Sequence, residues 1–152
     1  MIQSAGVAIV DLNLENPNAE PTVLCVRAYS NWDFPKGQQE EGEAIITTAI
    51  REVEEETTMV HGPDYILTGR PAGSTTYGTG AKKKTATYYI GNRMSKKEPF
   101  LPVSEELGKP ENDEYRWVPL SELLTLMPSR LTAVCGEIMD WAIDKRGQYV
   151  TG

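Results

Sequence analysis

The stretch between Trp32 and Met59 constrains the fold more than any other part of this chain. Wound into a helix at about 100° per residue, its second half places three carboxylates on one face. These are Glu52, Glu55 and Glu56. The neighbouring arc is apolar and contains Ile45, Ile46, Ala49, Ile50 and Val53. The pattern predicts a helix from about residue 43 to residue 57, with one apolar face and one acidic face.

The carboxylate cluster destabilises an isolated helix, because like charges three or four residues apart repel by about 0.2–0.5 kcal/mol per pair. A solvated acidic face is the common explanation for three clustered glutamates. A divalent cation is the other explanation, since Mg²⁺ binds a few carboxylates and keeps its remaining positions for water and phosphate oxygens. The helix alone leaves both explanations open.

The residues before the helix favour the cation. Gly37 is followed by five residues and Glu43, then by seven residues and the sequence REVEEETTM from Arg51 to Met59. This pattern resembles the Nudix box, G-x5-E-x7-R-E-U-x-E-E-x-G-U, in which U is a bulky aliphatic residue. Six fixed identities agree, namely Gly37, Glu43, Arg51, Glu52, Glu55 and Glu56. The chain therefore resembles the Nudix hydrolases.

Thr58 stands where the box has its second glycine, and Met59 is an unbranched residue at the last U. A glycine just after a helix commonly adopts the left-handed conformation that ends the helix. The resemblance therefore leaves the path of the chain out of the helix open.

The resemblance also implies the chemistry of the site. The implied metal ligands are Glu52, Glu55, Glu56 and the backbone carbonyl of Gly37, and the implied cofactor is Mg²⁺ or alternatively Mn²⁺. Cations that bridge phosphate oxygens neutralise charge and lower the pKa of a bound water. The implied catalytic residues are Glu52, Glu55, Arg51 and Glu43, with the last two as an orienting ion pair. The base that takes the proton from water is either Glu52 or a residue on a later loop.

Three shorter segments resemble the asymmetric diadenosine tetraphosphate hydrolases, a branch of the Nudix family. They are WDFPKG at residues 32–37, KTATYY at residues 84–89 and ENDEYRW at residues 111–117. By this resemblance Lys36, Lys84 and Tyr88 bind substrate, with Lys84 on a phosphate and Tyr88 lining the nucleotide pocket. Glu111 becomes a fourth acidic ligand or the base.

The residues by themselves allow plainer explanations. A solvated turn accounts for Lys82–Lys84, although the preceding Gly-rich loop would also suit a mobile clamp over an anionic substrate. Alternation along a strand buries one of Tyr88 and Tyr89. Glu111 lies in the charged run ENDE, which is typical of an exposed loop.

Apolar and β-branched runs predict strands at residues 4–11, 22–29, 64–69, 84–91 and 114–118. The first two strands should form a hairpin with a long loop. Gly and Pro predict irregular structure at 31–42 and a flexible loop at 73–80. Residues 120–127 predict a short helix capped by Ser121, and residues 129–145 a long helix with an apolar stripe. This order predicts an α/β fold, namely a Nudix-type α/β/α sandwich with a curved mixed sheet.

The composition is that of a globular protein, with 39% hydrophobic and 24% charged residues in a length of 152. It predicts a single domain, 1–152. No stretch approaches the roughly 20 apolar residues of a membrane span, and the N-terminus lacks a signal-peptide pattern. Cys25 and Cys135 lie in apolar surroundings and predict buried thiols, so a cytoplasmic location is expected.

Together these features predict metal-dependent hydrolysis of a phosphoanhydride in a nucleoside diphosphate-linked compound. The favoured substrate is a dinucleoside polyphosphate such as diadenosine tetraphosphate, bound by a monomer or a dimer. The net charge of −7 disfavours RNA and requires metal ions or local cations for a polyphosphate. A pyrophosphohydrolase of RNA 5′ ends or nucleotide sugars remains an alternative. A non-catalytic nucleotide-sensing module is another, against which the intact glutamates argue.

Overall fold

The computed structural model describes residues 2–151, with side chains described for residues 2–148. In this part of the chain the elements are β1 (Ile2–Asp11), β2 (Thr22–Ala28), β3 (Asn31–Asp33), β4 (Lys36–Gln38), α1 (Ile45–Thr57), β5 (Tyr65–Tyr77), β6 (Lys84–Arg93), β7 (Glu114–Pro119), α2 (Leu120–Leu126) and α3 (Thr132–Thr151). Short 3-10 helices cover Gly80–Lys82 and Ser129–Leu131. None of the described helices is long and apolar enough to cross a membrane.

The seven strands form one mixed sheet with β1 near its centre. β1 is parallel to β6 and antiparallel to β2 and β4, whereas β5 is antiparallel to β6 and β7 to β2. Alternate residues of β1 face opposite sides: Val7 and Ile9 pack with α1, and Ala8 and Val10 belong to the core shared with α2 and α3. Helices therefore cover both faces of the sheet, which confirms the predicted α/β class.

The sheet splits between β1 and β2. These strands pair only near Val10 and Val23 before they separate, which confirms the predicted hairpin with its long loop. In the space between them, β3 pairs with β2 and β4 pairs with β1. The prediction that 31–42 is irregular is therefore wrong for β3 and β4, because each short strand pairs with a strand edge that the split leaves available.

β5 corrects a second prediction. Residues 73–80 were expected to form a flexible loop, but β5 continues to Tyr77. Backbone pairing with β6 is supplemented by contacts between hydroxyl side chains. Ser74 and Thr87 lie 3.0 Å apart, and Thr76 and Thr85 lie 3.2 Å apart. Cross-strand partners, which are distant in the sequence, outweigh the tendency of Gly73 to interrupt a strand.

The two C-terminal helices also begin differently from the prediction. Ser121 does not cap α2, because the N-cap position is Pro119; instead Ser121 donates two hydrogen bonds to the carboxylate of Glu20, from its N–H at 2.9 Å and its hydroxyl at 2.7 Å. α3 begins at Thr132 and ends at Thr151, rather than running from 129 to 145. Its predicted apolar stripe is confirmed, and Cys135 within it is fully buried, as is Cys25.

α1 confirms the predicted helix, but its buried face is rotated from the predicted one. Ala49 and Val53 are fully buried against β1, whereas Ile46 is 43% exposed. Thr48 and Thr57 are buried in addition. The helix therefore packs along an arc that includes small polar residues, and this rotation brings the glutamates close to β4.

Thr58 ends α1 in the left-handed conformation, with φ 62° and ψ 7°. Its N–H donates to the carbonyl of Glu54 at 2.9 Å, as a glycine at this position would do. The carbonyl of Thr58 accepts a hydrogen bond from Lys97 Nζ at 2.5 Å. The chain therefore leaves the helix along the path expected for glycine, although this conformation costs a non-glycine residue about 1–2 kcal/mol.

A second strained turn joins β2 to β3. It has two residues, Tyr29 and Ser30, with φ angles of 51° and 66°. Two-residue hairpins in which both residues have positive φ usually contain Asn-Gly, because other residues are strained there. The side chain of Asn31 donates to the carbonyl of Tyr29 at 3.1 Å and braces the turn. This turn lies at the rim of the space opened by the split.

Candidate active site

Two adjoining cavities lie at the split in the sheet. The carboxylate cavity, of about 740 Å³, lies between the second half of α1 and the loop at 101–106. The split cavity, of about 330 Å³, lies among β2, β3 and β4, with Tyr77 and Arg130 in its wall. Both cavities are lined by Gly37, Gln38, Glu56, Glu111 and Asn112. An extended ligand could therefore lie across the shared wall.

The carboxylate cavity is strongly negative. Its wall contains seven carboxylates and one guanidinium, contributed by Glu40, Glu52, Glu55, Glu56, Glu105, Glu106, Glu111 and Arg51. Such a cavity repels a polyphosphate unless cations lie between the carboxylates and the phosphates.

Arg51 orders the carboxylates of α1. Its Nε and Nη2 donate to the two oxygens of Glu43 at 2.7 and 3.0 Å. Its Nη1 donates to Glu52 at 2.8 Å and to Glu55 at 3.2 Å, and Nη2 also donates to the carbonyl of Gln38 at 3.0 Å. These five hydrogen bonds use the five N–H donors of a guanidinium. Arg51 therefore fixes two candidate metal ligands relative to β4, and the expected contact with Glu43 is present.

Glu43 supports Arg51 from outside the cavity wall. Hydrogen bonds from Arg51 and then from the hydroxyl of Thr48, at 2.6 Å, lower the pKa of Glu43 to about 2. Glu43 consequently remains ionised over the whole physiological pH range. Its geometry is that of an orienting residue.

Glu56 and Glu52 carry the opposite pKa shift. Burial raises the pKa of Glu56 well above its ordinary value, and the nearby carboxylates of Glu111 and Glu52 raise it further. The N–H of Lys36 donates to Glu56 at 2.8 Å and partly opposes this effect. Burial likewise raises the pKa of Glu52, against the influence of Arg51. A cation beside these side chains would relieve the cost of ionising them.

Gly37 is in direct contact with Glu52. A Cβ atom at Gly37 would lie 2.0 Å from the carboxylate carbon of Glu52, which is far inside van der Waals contact. Only glycine therefore allows the carboxylate of α1 to lie against β4 at this point. The strand and the helix meet where the resemblance places both a backbone ligand and a carboxylate ligand.

The donor set fits a hard divalent cation. Among the described residues no group of three or more acidic, histidine or cysteine side chains is spaced to enclose a metal ion. Glu52 and Glu55 instead accept hydrogen bonds from Arg51, and Glu56 accepts one from the N–H of Lys36. The available donors are nevertheless carboxylate oxygens, which suit Mg²⁺ and Mn²⁺. The raised pKa values and the glycine contact with Glu52 agree with that chemistry.

The split cavity contains a cluster of cations and aromatic rings centred on Asp33. Its carboxylate accepts hydrogen bonds from the hydroxyl of Tyr88 and from Arg130 Nη2, each at 2.7 Å. Lys36 Nζ lies 3.9 Å from the same carboxylate. The ring of Tyr77 lies 4.3 Å from the guanidinium of Arg130 and 5.6 Å from Lys36 Nζ. Burial would lower the pKa of Lys36, but Asp33 and Tyr77 outweigh burial and raise it.

The substrate-binding residues expected from the sequence lie at different depths. Lys36 and Lys84 line the split cavity. Tyr88 is fully buried, packs edge-on against Phe34 at 5.6 Å and reaches the cavity only through its hydrogen bond to Asp33. Tyr88 therefore positions Asp33 in the cavity wall and does not line the cavity itself. Tyr89 packs on the opposite face of the sheet.

The residues of the split cavity that sequence reasoning missed include Asp33, Tyr77, Arg130 and Asn112. Asp33 lies inside the WDFPKG segment and could have been found there. Tyr77 was assigned to a flexible loop. Asn112 lies inside the ENDEYRW segment and could have been found in the same way. Arg130 had no local signal, because its role depends on a contact with a distant part of the chain. Among the described residues, Arg130 Nη1 and Asn112 Nδ2 are buried without a hydrogen-bond partner.

Comparison with protein families identifies the fold. The model of the family described as the NUDIX domain matches residues 4–142. A comparison with curated proteins gives no match.

Solved structures with the same fold cover nearly the whole chain. A C. elegans Ap4A hydrolase in a binary complex has a TM-score of 0.79 and 17% identity, covering 95% of this chain and 99% of its own. The MutT protein from Methanosarcina mazei Go1 has a TM-score of 0.67 and 23% identity, covering 92% and 94%. The E. coli dihydroneopterin triphosphate pyrophosphohydrolase has a TM-score of 0.66 and 19% identity, covering 93% and 95%.

Proposed function

Because this chain belongs to the NUDIX domain family and is a pyrophosphohydrolase of phosphorus-containing anhydrides, we propose that it hydrolyses a dinucleoside polyphosphate such as diadenosine tetraphosphate. The observation that carries this proposal is the pair of adjoining cavities, of about 740 and 330 Å³, that share Gly37, Glu56 and Glu111. One cavity supplies carboxylates for cations, and the other supplies cations for phosphates. The polyphosphate chain of a dinucleoside polyphosphate could extend across both.

The split cavity provides the contacts for the substrate. Lys36, Lys84 and Arg130 place three positive charges in its wall, which also contains the carboxylates of Asp33, Glu56 and Glu111. Asp33 holds Arg130 by a hydrogen bond and lies 3.9 Å from Lys36, so these two cations are positioned before the substrate arrives. Positioned cations stabilise the charge that develops on phosphate oxygens during cleavage.

Divalent metal ions are general to the family, and we propose Mg²⁺ or Mn²⁺ for this protein. Its ligands would come from the carbonyl of Gly37 and the carboxylates of Glu52, Glu55, Glu56 and Glu111. When bound, such an ion neutralises phosphate charge and activates a water molecule. Arg51 keeps Glu52 and Glu55 in place through one hydrogen bond to each carboxylate.

Glu52 is our proposed base, with Glu111 as the alternative. Burial raises the pKa of Glu52, and a carboxylate with a raised pKa is better matched to accept a proton near neutral pH. Its Oε1 accepts from Arg51, and its Oε2 lies against Gly37. Glu111 lines both cavities but is exposed.

The C. elegans Ap4A hydrolase shares the fold of this chain. At 17% identity it supports only the fold, and the MutT protein and the dihydroneopterin triphosphate pyrophosphohydrolase share that fold too. The choice among substrates therefore rests on the resemblances at residues 32–37, 84–89 and 111–117 and on the two adjoining cavities.

We also propose a cytoplasmic location, because a reducing compartment keeps thiols such as those of Cys25 and Cys135 unpaired. Sedimentation velocity of the purified protein would show whether it is a monomer or a dimer.

The test compares Glu55→Gln with Glu54→Gln in the purified protein. Both residues are exposed on α1, but only Glu55 lines the carboxylate cavity. With diadenosine tetraphosphate and Mg²⁺, Glu55→Gln should lower kcat about 100-fold or more, which is about 3 kcal/mol of activation free energy. Glu54→Gln should retain the wild-type rate.

A chelator and a substrate panel complete the test. Excess EDTA should abolish nucleotide release, and undiminished release would rule out the metal-dependent reaction. Faster turnover of 5′-triphosphorylated RNA or ADP-ribose would replace the proposed substrate by one of the alternatives. Binding of nucleotides without turnover of any substrate, in Mg²⁺ and in Mn²⁺, would favour a sensing module.

A further inference from the structure

The turn between β2 and β3 contains residues that its backbone conformation disfavours. Tyr29 and Ser30 both have positive φ, at 51° and 66°, where Asn-Gly would make the same turn without strain. Tyr29 is 72% exposed, so its ring contributes little to the packed core. The strain is therefore not offset by burial of the side chain.

The contacts of Tyr29 hold its position but do not account for its identity. Asn31 donates a hydrogen bond to the backbone carbonyl of Tyr29 at 3.1 Å. Any residue at position 29 would offer the same carbonyl. Lys109 Nζ lies 5.9 Å from the ring centroid, at the outer limit of a cation–π interaction. Strained residues of this kind concentrate at ligand-binding sites, where function retains them.

Tyr29 also lies in the wall of the split cavity. The same cavity carries the cations Lys36, Lys84 and Arg130. If the phosphates of a nucleotide contact these cations, its base lies elsewhere along the same wall, which includes Tyr29. An exposed phenol ring at the rim is suited to a planar group, because aromatic side chains stack on the faces of nucleobases.

We propose that Tyr29 is a specificity-determining residue whose ring stacks on a nucleobase of the substrate while the phosphates occupy the split cavity. This inference rests on the proposed function and extends it to the recognition of the base. The residue would favour phosphoanhydrides that carry a nucleobase over those that do not. The backbone strain at the turn is then the cost of presenting a rigid aromatic ring at the cavity rim.

The experiment compares three variants of the full chain: Tyr29→Asn, Tyr29→Phe and Ser30→Gly. Calorimetry measures the binding of AMP, which has no anhydride to hydrolyse, and the binding of inorganic tripolyphosphate, which has no base. Thermal melting of each variant measures its stability. Ser30→Gly is the matched control, because it relieves strain in the same turn and keeps the ring.

Tyr29→Asn should bind AMP at least about fivefold more weakly, the lower end of what stacking on an aromatic side chain contributes. It should bind tripolyphosphate as the wild type does. Tyr29→Phe should retain most of the affinity for AMP, since the ring remains. Ser30→Gly should bind AMP normally. Tyr29→Asn and Ser30→Gly should both melt at a higher temperature than the wild type, because each relieves a positive φ.

Three results would overturn the inference. Wild-type affinity for AMP in Tyr29→Asn would show that the ring does not contact the base. An equal loss of AMP and tripolyphosphate affinity would show that the substitution disturbs the phosphate site instead. Failure of the wild type to bind AMP would remove the stacking role, even if polyphosphates without a base were hydrolysed. If the protein did not hydrolyse diadenosine tetraphosphate but still bound AMP in a way that depends on Tyr29, the proposed function would be wrong and the stacking role would stand.

Discussion

At the residue scale, the proposed site contains a close contact between Gly37 and Glu52. The carboxylate of Glu52 occupies the volume that a side chain at position 37 would need. The same carboxylate is held from its other side by Arg51 at 2.8 Å. Two elements thus confine a single functional group, and a small displacement of that group should affect catalysis more than folding.

Gly37→Ala should lower kcat about 100-fold, because its methyl group displaces the Glu52 carboxylate by a distance of the order of 1 Å. The end of the Glu52 side chain can rotate away, so the protein should stay folded. Steady-state kinetics and thermal melting would measure the two effects. Gly136→Ala is the control, since a Cβ there meets no atom within 4 Å and should leave activity unchanged. Normal kcat in Gly37→Ala would show that catalysis does not require this position of Glu52.

At the element scale, α1 ends at a residue that is not suited to its conformation. Thr58 has φ 62°, and its N–H completes the helix through Glu54. A left-handed threonine costs about 1–2 kcal/mol, whereas glycine in its place loses about 0.5–1 kcal/mol of conformational freedom. The balance favours glycine, so this helix end is less stable than it could be.

Thr58→Gly should therefore stabilise the protein by about 0.5–1 kcal/mol, which raises the melting temperature by about 1–4 °C in a chain of this size. Thr47→Gly, on the exposed side of the same helix, should be destabilising by about 0.4 kcal/mol because glycine is a poor helix former. Differential scanning calorimetry of both variants would measure these opposite shifts. A lower melting temperature for Thr58→Gly would mean that the threonine side chain contributes an interaction larger than the strain.

At the scale of the whole molecule, negative charge is concentrated where the fold brings α1, β4 and the loop at 101–106 together. The chain has a net charge of −7, and seven carboxylates face one cavity. The raised pKa values of Glu52 and Glu56 mean that ionising them costs folding free energy near neutral pH. A bound divalent cation should recover part of that free energy.

Mg²⁺ should consequently raise the melting temperature of the wild type. An ion present at ten times its dissociation constant stabilises the folded state by about 1.4 kcal/mol. NaCl at equal ionic strength separates binding from screening of surface charge. Glu56→Gln should show a smaller Mg²⁺ shift than the wild type. Equal shifts in NaCl and in MgCl₂ would argue against a specific site.

Local patterns predicted α1 well and β5 poorly, for different physical reasons. A helix forms its hydrogen bonds within its own segment, so its period is visible in the sequence. β5 depends on hydroxyl contacts with β6, and Gly73 and Gly78 suggested a loop when read without those partners. The short strands β3 and β4 were missed for the same reason, since their pairing partners become available only when β1 and β2 separate.

The sequence by itself determined the row of glutamates, because the spacing of Glu52, Glu55 and Glu56 within one helix places them on one face wherever the helix packs. It also identified Gly37, Glu43 and Arg51 as their partners. Tertiary structure alone decided the split cavity: Arg130 reaches Asp33 across 97 positions, and the strain at Tyr29 exists only in the folded hairpin. Contacts within a helix follow from local geometry, whereas these contacts require the path of the whole chain.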